Sequence, residues 1–359
     1  MLKIILLLLS GFGIFYYLGQ VTMPPPKPAS TTSNKEVSGP IEIFAENLNV
    51  PWEINFLPDG KIFVTERSGT VLELKGSDKK EILKLNDVAV SGEGGLLGMT
   101  QHPQHEKNGY TYIYYTYQNQ GLKNKVVRYS HIGDSLQKGR TIIDNIPANK
   151  NHNGGRIKFG PDDKLYITTG DSENPSTAQN LNSLAGKILR LNDDGSIPSD
   201  NPFSGSPVYS YGHRNPQGLA WDEGGKLWAT EHGNAGNDEV NLIETGKNYG
   251  WPEISGTQKR EGMVEPFVQS GNTTWAPSGA LSTNNKLYFS GLKGESIFEV
   301  DLKTREVKEF FKNKFGRIRT IEKDTDGNFY FLSSNRDGRG TPTPADDRVF
   351  KILPSALGL

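Results

Sequence analysis

The sequence predicts an all-β protein, and within that class a six-bladed β-propeller. Three observations lead there. A turn-plus-strand unit recurs six times, no amphipathic helical pattern of useful length follows residue 40, and no linker interrupts the series. The six units are Pro58–Thr65 (PDGKIFVT), Asn108–Tyr115 (NGYTYIYY), Pro161–Thr168 (PDDKLYIT), Glu223–Thr230 (EGGKLWAT), Thr283–Ser290 (TNNKLYFS) and Thr325–Leu332 (TDGNFYFL). Each begins with a turn rich in Asp, Asn and Gly and runs into Val, Ile, Tyr, Phe or Trp, the signal of a hairpin entry.

A second strand-like run follows each unit: Thr70–Leu74, Lys125–Tyr129, Lys187–Leu191, Glu239–Ile243, Ser296–Val300 and Arg348–Ile352. The irregular spacing, on the order of 40–60 residues, is that of propeller blades. A small antiparallel sheet cannot bury both its faces alone, and packing blades around an axis does it. Two separate β-sandwiches are the alternative. The absence of a linker between the units speaks against them.

Composition agrees. Of 359 residues, 41 are Gly, 14 Tyr and 16 Phe, as expected of short strands joined by tight turns. The net charge of −1 argues against a broad nucleic-acid surface. With no cysteine there are no disulfides, no thiolate chemistry and no Cys-based metal centre.

The start of the chain reads as a targeting segment. Met1–Lys3 is basic, and Ile4–Leu18 is apolar apart from Ser10 and two Gly. That run is short for a membrane span, which needs about 20 residues, and fits a signal-peptide core. No clean cleavage site follows, so an uncleaved anchor stands beside export with cleavage. Residues 21–40, with the tract PPPKPASTTS, read as a flexible spacer, and 41–359 as the propeller domain. The folded body is expected in the periplasm or outside the cell.

Polar residues that the repeat does not require are the candidates for function. Glu93 lies in SGEGGLLG among glycines that let backbone approach a ligand, or is a solvated turn acid. His152 in NHNGGR suits a general base, or is a structural loop histidine. Arg214 and Asn215 in YGHRNPQG offer a planar fork and an amide, or a blade-to-blade ion pair and a turn cap. Glu231, Asp238 and Glu239 supply hard oxygens suited to calcium, although the spacing is not that of an EF-hand. Lys293 stands in SGLKGES. Arg317 and Arg319 in FGRIRTI alternate by two, so on a strand they point the same way, as a channel wall or a solvent-facing strand. Converging on the axis, these groups would define a pocket for a compact polyanion with a base beside it.

At these motifs the chain resembles the soluble PQQ-dependent aldose sugar dehydrogenases of the glucose/sorbosone dehydrogenase family. The resemblance spans about residues 41–353 and is carried by LNVPWEINFLPDGKIFVTERSG, GEGGLLG, HNGGRIKFGPDDKLYITTGD, YGHRNPQG, NDEVNLIETGKNYGWP and GRIRTIEKDTDGNFYFL, in that order. It implies a six-bladed propeller that oxidises the C1 hydroxyl of cyclic aldoses, with PQQ and Ca2+ as cofactors. His152 stands at the position of the family's base, and Arg214 near the reactive quinone oxygens. Asn215, Lys293, Arg317 and Arg319 match cofactor-binding positions, and Glu93 stands where relatives can carry Gln. Gly233 and Asn234 match backbone carbonyls that hold the cofactor's calcium, Asn234 in place of a Pro. Ser172 falls where some relatives place a Gln. Short loops imply an open site, broad aldose specificity and a monomer rather than an obligate dimer. An external electron acceptor is implied as well.

Two other functions compete. A calcium-dependent lactonase on a similar propeller needs a cage of side-chain oxygens and has no use for Arg214, Lys293, Arg317 and Arg319 together. A glycan- or protein-binding propeller would not need His152 beside Arg214.

Overall fold

The computed structural model describes residues 41–76 and 78–358; the expected targeting segment and spacer lie outside the described residues. Six four-stranded antiparallel sheets form the six predicted blades. The innermost strands are Pro51–Phe56, Leu96–Gln101, Ile157–Phe159, Pro216–Trp221, Pro277–Thr283 and Ile318–Lys323. The six recurrent units become the second strands, from Ile62–Glu66 in blade 1 to Phe329–Ser333 in blade 6. The six following runs become the third strands, and Lys187–Leu191 and Glu239–Ile243 keep the predicted bounds. The helices are short: His105–Asn108 and two 3-10 turns. None among the described residues is long and apolar enough to cross a membrane.

Blade 6 takes its outer strand from the other end of the chain. Ile41–Ala45 pairs with Val349–Ile352 in the register Ile41↔Ile352 and Ile43↔Phe350. That pairing closes the ring and covers the edge of Val349–Ile352.

The core is divided among the blade interfaces. In Tyr110–Gln118, Tyr112 and Tyr114 pack with Ile157, Leu165 and Ile167 of blade 3, while Ile113 and Tyr115 pack with Phe63, Val71 and Ile82 of blade 1. Successive side chains of a strand point to opposite faces, so an unbroken apolar run serves two interfaces at once.

Every inner strand is the first of its blade in the chain order of its sheet, apart from the closing strand, so all six run the same way along the axis. The segments that precede them therefore gather at one mouth. Their last residues, including Phe56, Gln101, Phe159, Trp221 and Lys323, line a cavity of about 630 Å³ at the opposite mouth. Between the mouths, fully buried Arg156 pairs with Glu53, donates Nε to the Gln217 carbonyl at 2.8 Å and lies 4.1 Å over the Trp52 ring.

Candidate active site

His152 sits in the segment that leads into the inner strand of blade 3. Its φ of +58° is left-handed, a conformation that histidine tolerates better than most residues. A tight approach holds it there: a Cβ on Gly170 would meet the His152 carbonyl oxygen at 2.0 Å. The His152 amide donates to Glu93 Oε2 at 3.1 Å. Ring Nδ1 lies 2.7 Å from Asp171 Oδ1. Asp171 is fully buried, and it also accepts Trp251 Nε1 on Oδ2 at 2.8 Å and the Glu173 amide on Oδ1 at 2.8 Å. Asp171 thus acts as an acceptor on both oxygens, so His152 Nδ1 donates, and in the neutral ring the lone pair is on Nε2.

Arg214 and Asn215 enter from the segment before the inner strand of blade 4. The Glu231 carboxylate accepts the Arg214 amide and His213 Nδ1 and so fixes this turn; His213 is buried and stacks on Tyr249. The Arg214 guanidinium donates Nη1 to the His232 carbonyl at 3.2 Å and lies 5.4 Å from the Trp251 ring centre. Asn215 is buried; it accepts the Gly154 amide at 3.0 Å and donates to Glu93 Oε2 at 3.3 Å. Glu93 therefore joins the segments carrying His152 and Asn215. Burial works against its ionisation, but neighbouring His232 and Arg339 outweigh it and hold the carboxyl at about 2. Arg339 reaches it at 2.7 Å.

Arg317 precedes the inner strand Ile318–Lys323 and Arg319 lies on it, yet both approach one carboxylate, Asp337. Arg317 lies 2.8 Å and Arg319 4.0 Å from Asp337 Oδ2. Arg319 also donates to Gln217 Oε1 at 2.8 Å, and burial pushes its guanidinium down to about 9. Lys293 stands next to Leu292, whose carbonyl accepts Arg317 Nη1 at 3.1 Å, but its own side chain is exposed. Ser172 is buried, with its hydroxyl on the Pro147 carbonyl at 2.7 Å, and supports the His152 segment.

The acidic cluster reads differently in three dimensions. Asp238 accepts the amides of Gly233, Trp275 and Ala276 and builds the loop. Glu231 is committed to His213 and Arg214, and burial pushes Glu239 up to about 8. Among the described residues no three His, Asp or Glu side chains are placed to hold a metal ion. The carbonyls of Gly233 and Asn234 accept no hydrogen bond from the described residues, so backbone oxygens there are free for a hard cation.

Asp171, Trp251, Arg67, Asp337, Arg339 and His232 were not singled out from the sequence. Asp171 and Trp251 lie inside conspicuous motifs, TTGDS and NYGWP, but only folding brings them within hydrogen-bond distance of each other. Four donor-capable nitrogens of this region are buried without a partner among the described residues: Arg67 Nε, Arg214 Nε, Arg319 Nε and His232 Nε2. Burial lowers the pKa of each guanidinium, and it pushes His232 down to about 4. Unsatisfied buried donors are rare and call for a ligand that is rich in oxygen and negative charge.

The Glucose / Sorbosone dehydrogenase family model matches residues 48–341. An aldose sugar dehydrogenase of Escherichia coli is 31% identical over 336 residues, covering 83% of this chain and 91% of that protein. Quinoprotein glucose dehydrogenase B of Acinetobacter calcoaceticus is 35% identical over 276 residues, which are 67% of this chain and 58% of that one. The PQQ-bound aldose sugar dehydrogenase of Streptomyces coelicolor superposes with a TM-score of 0.82 at 37% identity, over 87% of this chain and 97% of that one. With its six-bladed ring, its mouth of converging polar groups and a family match over most of its length, this chain belongs to the glucose/sorbosone dehydrogenase family.

Proposed function

We propose that this protein is a PQQ- and calcium-dependent dehydrogenase that oxidises cyclic aldoses at C1 to the lactone. One observation carries the reading. His152, oriented by Asp171, stands at the same mouth as Arg214, Asn215, Arg317 and Arg319, and Arg214 and Arg319 bury donors without partners among the described residues. Those donors suit the three carboxylates and the quinone oxygens of PQQ. Bound there, PQQ would accept the hydride from C1, with calcium as a Lewis acid on it.

The chain's own residues have separate tasks. His152 Nε2 takes the proton of the C1 hydroxyl, and Asp171 stabilises the imidazolium that forms. Arg214 places positive charge where negative charge develops. Asn215, Arg317 and Arg319 hold the cofactor, with Lys293 able to swing in from the rim. Glu93 and Asp337 offset part of the positive charge, so the site is less cationic than four unpaired cations would make it. The carbonyls of Gly233 and Asn234 would hold the calcium. The reading includes export to the periplasm or beyond, an external electron acceptor and a monomer.

The lactonase reading needs several side-chain carboxylates and amides around one calcium. The acids near Gly233 are already committed to backbone and His213, which favours the dehydrogenase. Dye-linked oxidation of glucose, galactose, xylose and maltose by the cofactor-free protein tests the proposal, with PQQ and Ca2+ added separately and together. Activity is expected only with both additions. His152→Ala lowers kcat on the order of 10²–10⁴-fold. No oxidation of any sugar, together with no PQQ binding on titration, would overturn the reading.

A further inference from the structure

We infer that Trp251 is a positioning residue for the base: its indole N–H locks Asp171, and through Asp171 the ring of His152. The inference rests on the proposed role of His152 and adds a residue to it.

Asp171 has two carboxylate oxygens with different duties. Oδ1 accepts His152 Nδ1 and the Glu173 amide; the partner of Oδ2 among the described residues is Trp251 Nε1 at 2.8 Å. Without that donor, a fully buried oxygen would be left unsatisfied. The carboxylate would then rotate toward other donors, and the bond that orients His152 would rotate with it. A base misplaced by a fraction of a bond length loses its line to the C1 hydroxyl.

Trp251 is itself held from both sides. Its amide donates to the Gly212 carbonyl at 2.9 Å, and its carbonyl accepts Gln179 Nε2 at 2.7 Å. Gln179 also exchanges two hydrogen bonds with Asn248, at 2.8 and 3.0 Å. The 3-10 turn Pro175–Gln179 and the NYGWP turn are thereby interlocked. The same indole lies 5.4 Å from the Arg214 guanidinium, and the Asp171 amide donates to the Arg214 carbonyl at 2.8 Å. One side chain therefore sets the distance between the base and the cation that assists it.

The test uses the full chain with Trp251→Phe, which keeps an aromatic ring and removes the donor. Three readouts are taken: sugar oxidation, PQQ titration by fluorescence, and the low-field 1H–15N resonance of His152 Nδ1–H in the cofactor-free protein. The expected result is a kcat lower by roughly 10²-fold, an unchanged KM and PQQ affinity, and a His152 resonance that is lost or moved upfield. In an Asp171→Asn background, Trp251→Phe should cost nothing further. Trp251→His, which retains an N–H donor, should recover part of the resonance, and this variant carries the test if Trp251→Phe does not fold. An unchanged His152 resonance would overturn the inference, as would a fall in PQQ affinity that accounts for the loss of kcat. The resonance is read without sugar or PQQ, so failure of the dehydrogenase reading would show separately, as wild type without PQQ-dependent oxidation.

Discussion

At the scale of the residue, the site depends on which atom of a side chain is already engaged. Asp171 accepts from two different side chains, and an amide cannot replace it. In Asp171→Asn one carbonyl oxygen must serve both His152 and Trp251, and the NH2 group faces the other donor. The histidine is then driven toward the tautomer with its proton on Nε2, the wrong one for a base. We expect Asp171→Asn to lower kcat by on the order of 10²-fold or more while PQQ titration stays near wild type. Glu93 gives a prediction about pH. Its carboxyl drops from an ordinary 4.5 to about 2 in the folded protein. A depressed acid stabilises the fold above its unfolded pKa and loses that contribution as pH falls through the folded value. Urea midpoints of the cofactor-free protein should therefore decline between about pH 4.5 and 2, and Glu93→Gln should flatten that decline. The sequence showed His152 and Arg214 because a basic residue in a Gly-rich loop stands out. It did not show that Asp337 and Glu93 would offset the cations, because those contacts join residues far apart in the chain.

At the scale of the element, loops at the active mouth are held by buried polar groups rather than by apolar packing. Lys187 is the clearest case. Its ammonium donates to the carbonyls of Thr177, Ala178 and Ala185 at 2.9, 3.0 and 2.7 Å, and the residue is fully buried. Three donors meet three acceptors, and the segment between Asp171 and Lys187 is tied to the third strand of blade 3. Lys187→Met would leave those carbonyls without a donor and should destabilise the protein by roughly 1–3 kcal/mol in urea unfolding. The second and third strands were legible in the sequence because both their faces are apolar, as in YTYIYYTYQ. The inner and outer strands were not. Inner strands such as Pro51–Phe56 (PWEINF) and Ile318–Lys323 (IRTIEK) mix polar with apolar residues because they border the polar channel, and outer strands such as Asp78–Lys84 (DKKEILK) are mostly exposed. Neither keeps the near-continuous apolar run that marks a strand buried on both faces.

At the scale of the whole molecule, closure of the ring is the long-range feature that matters most. Ile41–Ala45 completes blade 6, and Ile41 is buried against a cluster that includes Phe329, Phe350 and Ile352. Removing the segment up to Glu46 exposes the edge of Val349–Ile352. Loss of Ile41 burial alone is worth roughly 1.5–3 kcal/mol. A chain starting at Asn47 should melt about 5 °C lower or more and should aggregate at concentrations where the full chain stays dispersed; calorimetry and light scattering check both.

By itself the sequence determined the all-β class and the number of blades, and it pointed to some of the polar residues at the candidate site. Those are local properties: a period-two pattern, turn chemistry and unusual residues in glycine-rich loops each lie within a few neighbouring positions. Only the tertiary structure decided that the first described strand closes the last blade, that Asp171 and Trp251 orient His152, and that Asp337 divides the charge of Arg317 and Arg319. Each of these joins residues tens to hundreds of positions apart. Their meeting is set by how strands pair within a blade and how blades pack around the axis, which no local pattern records.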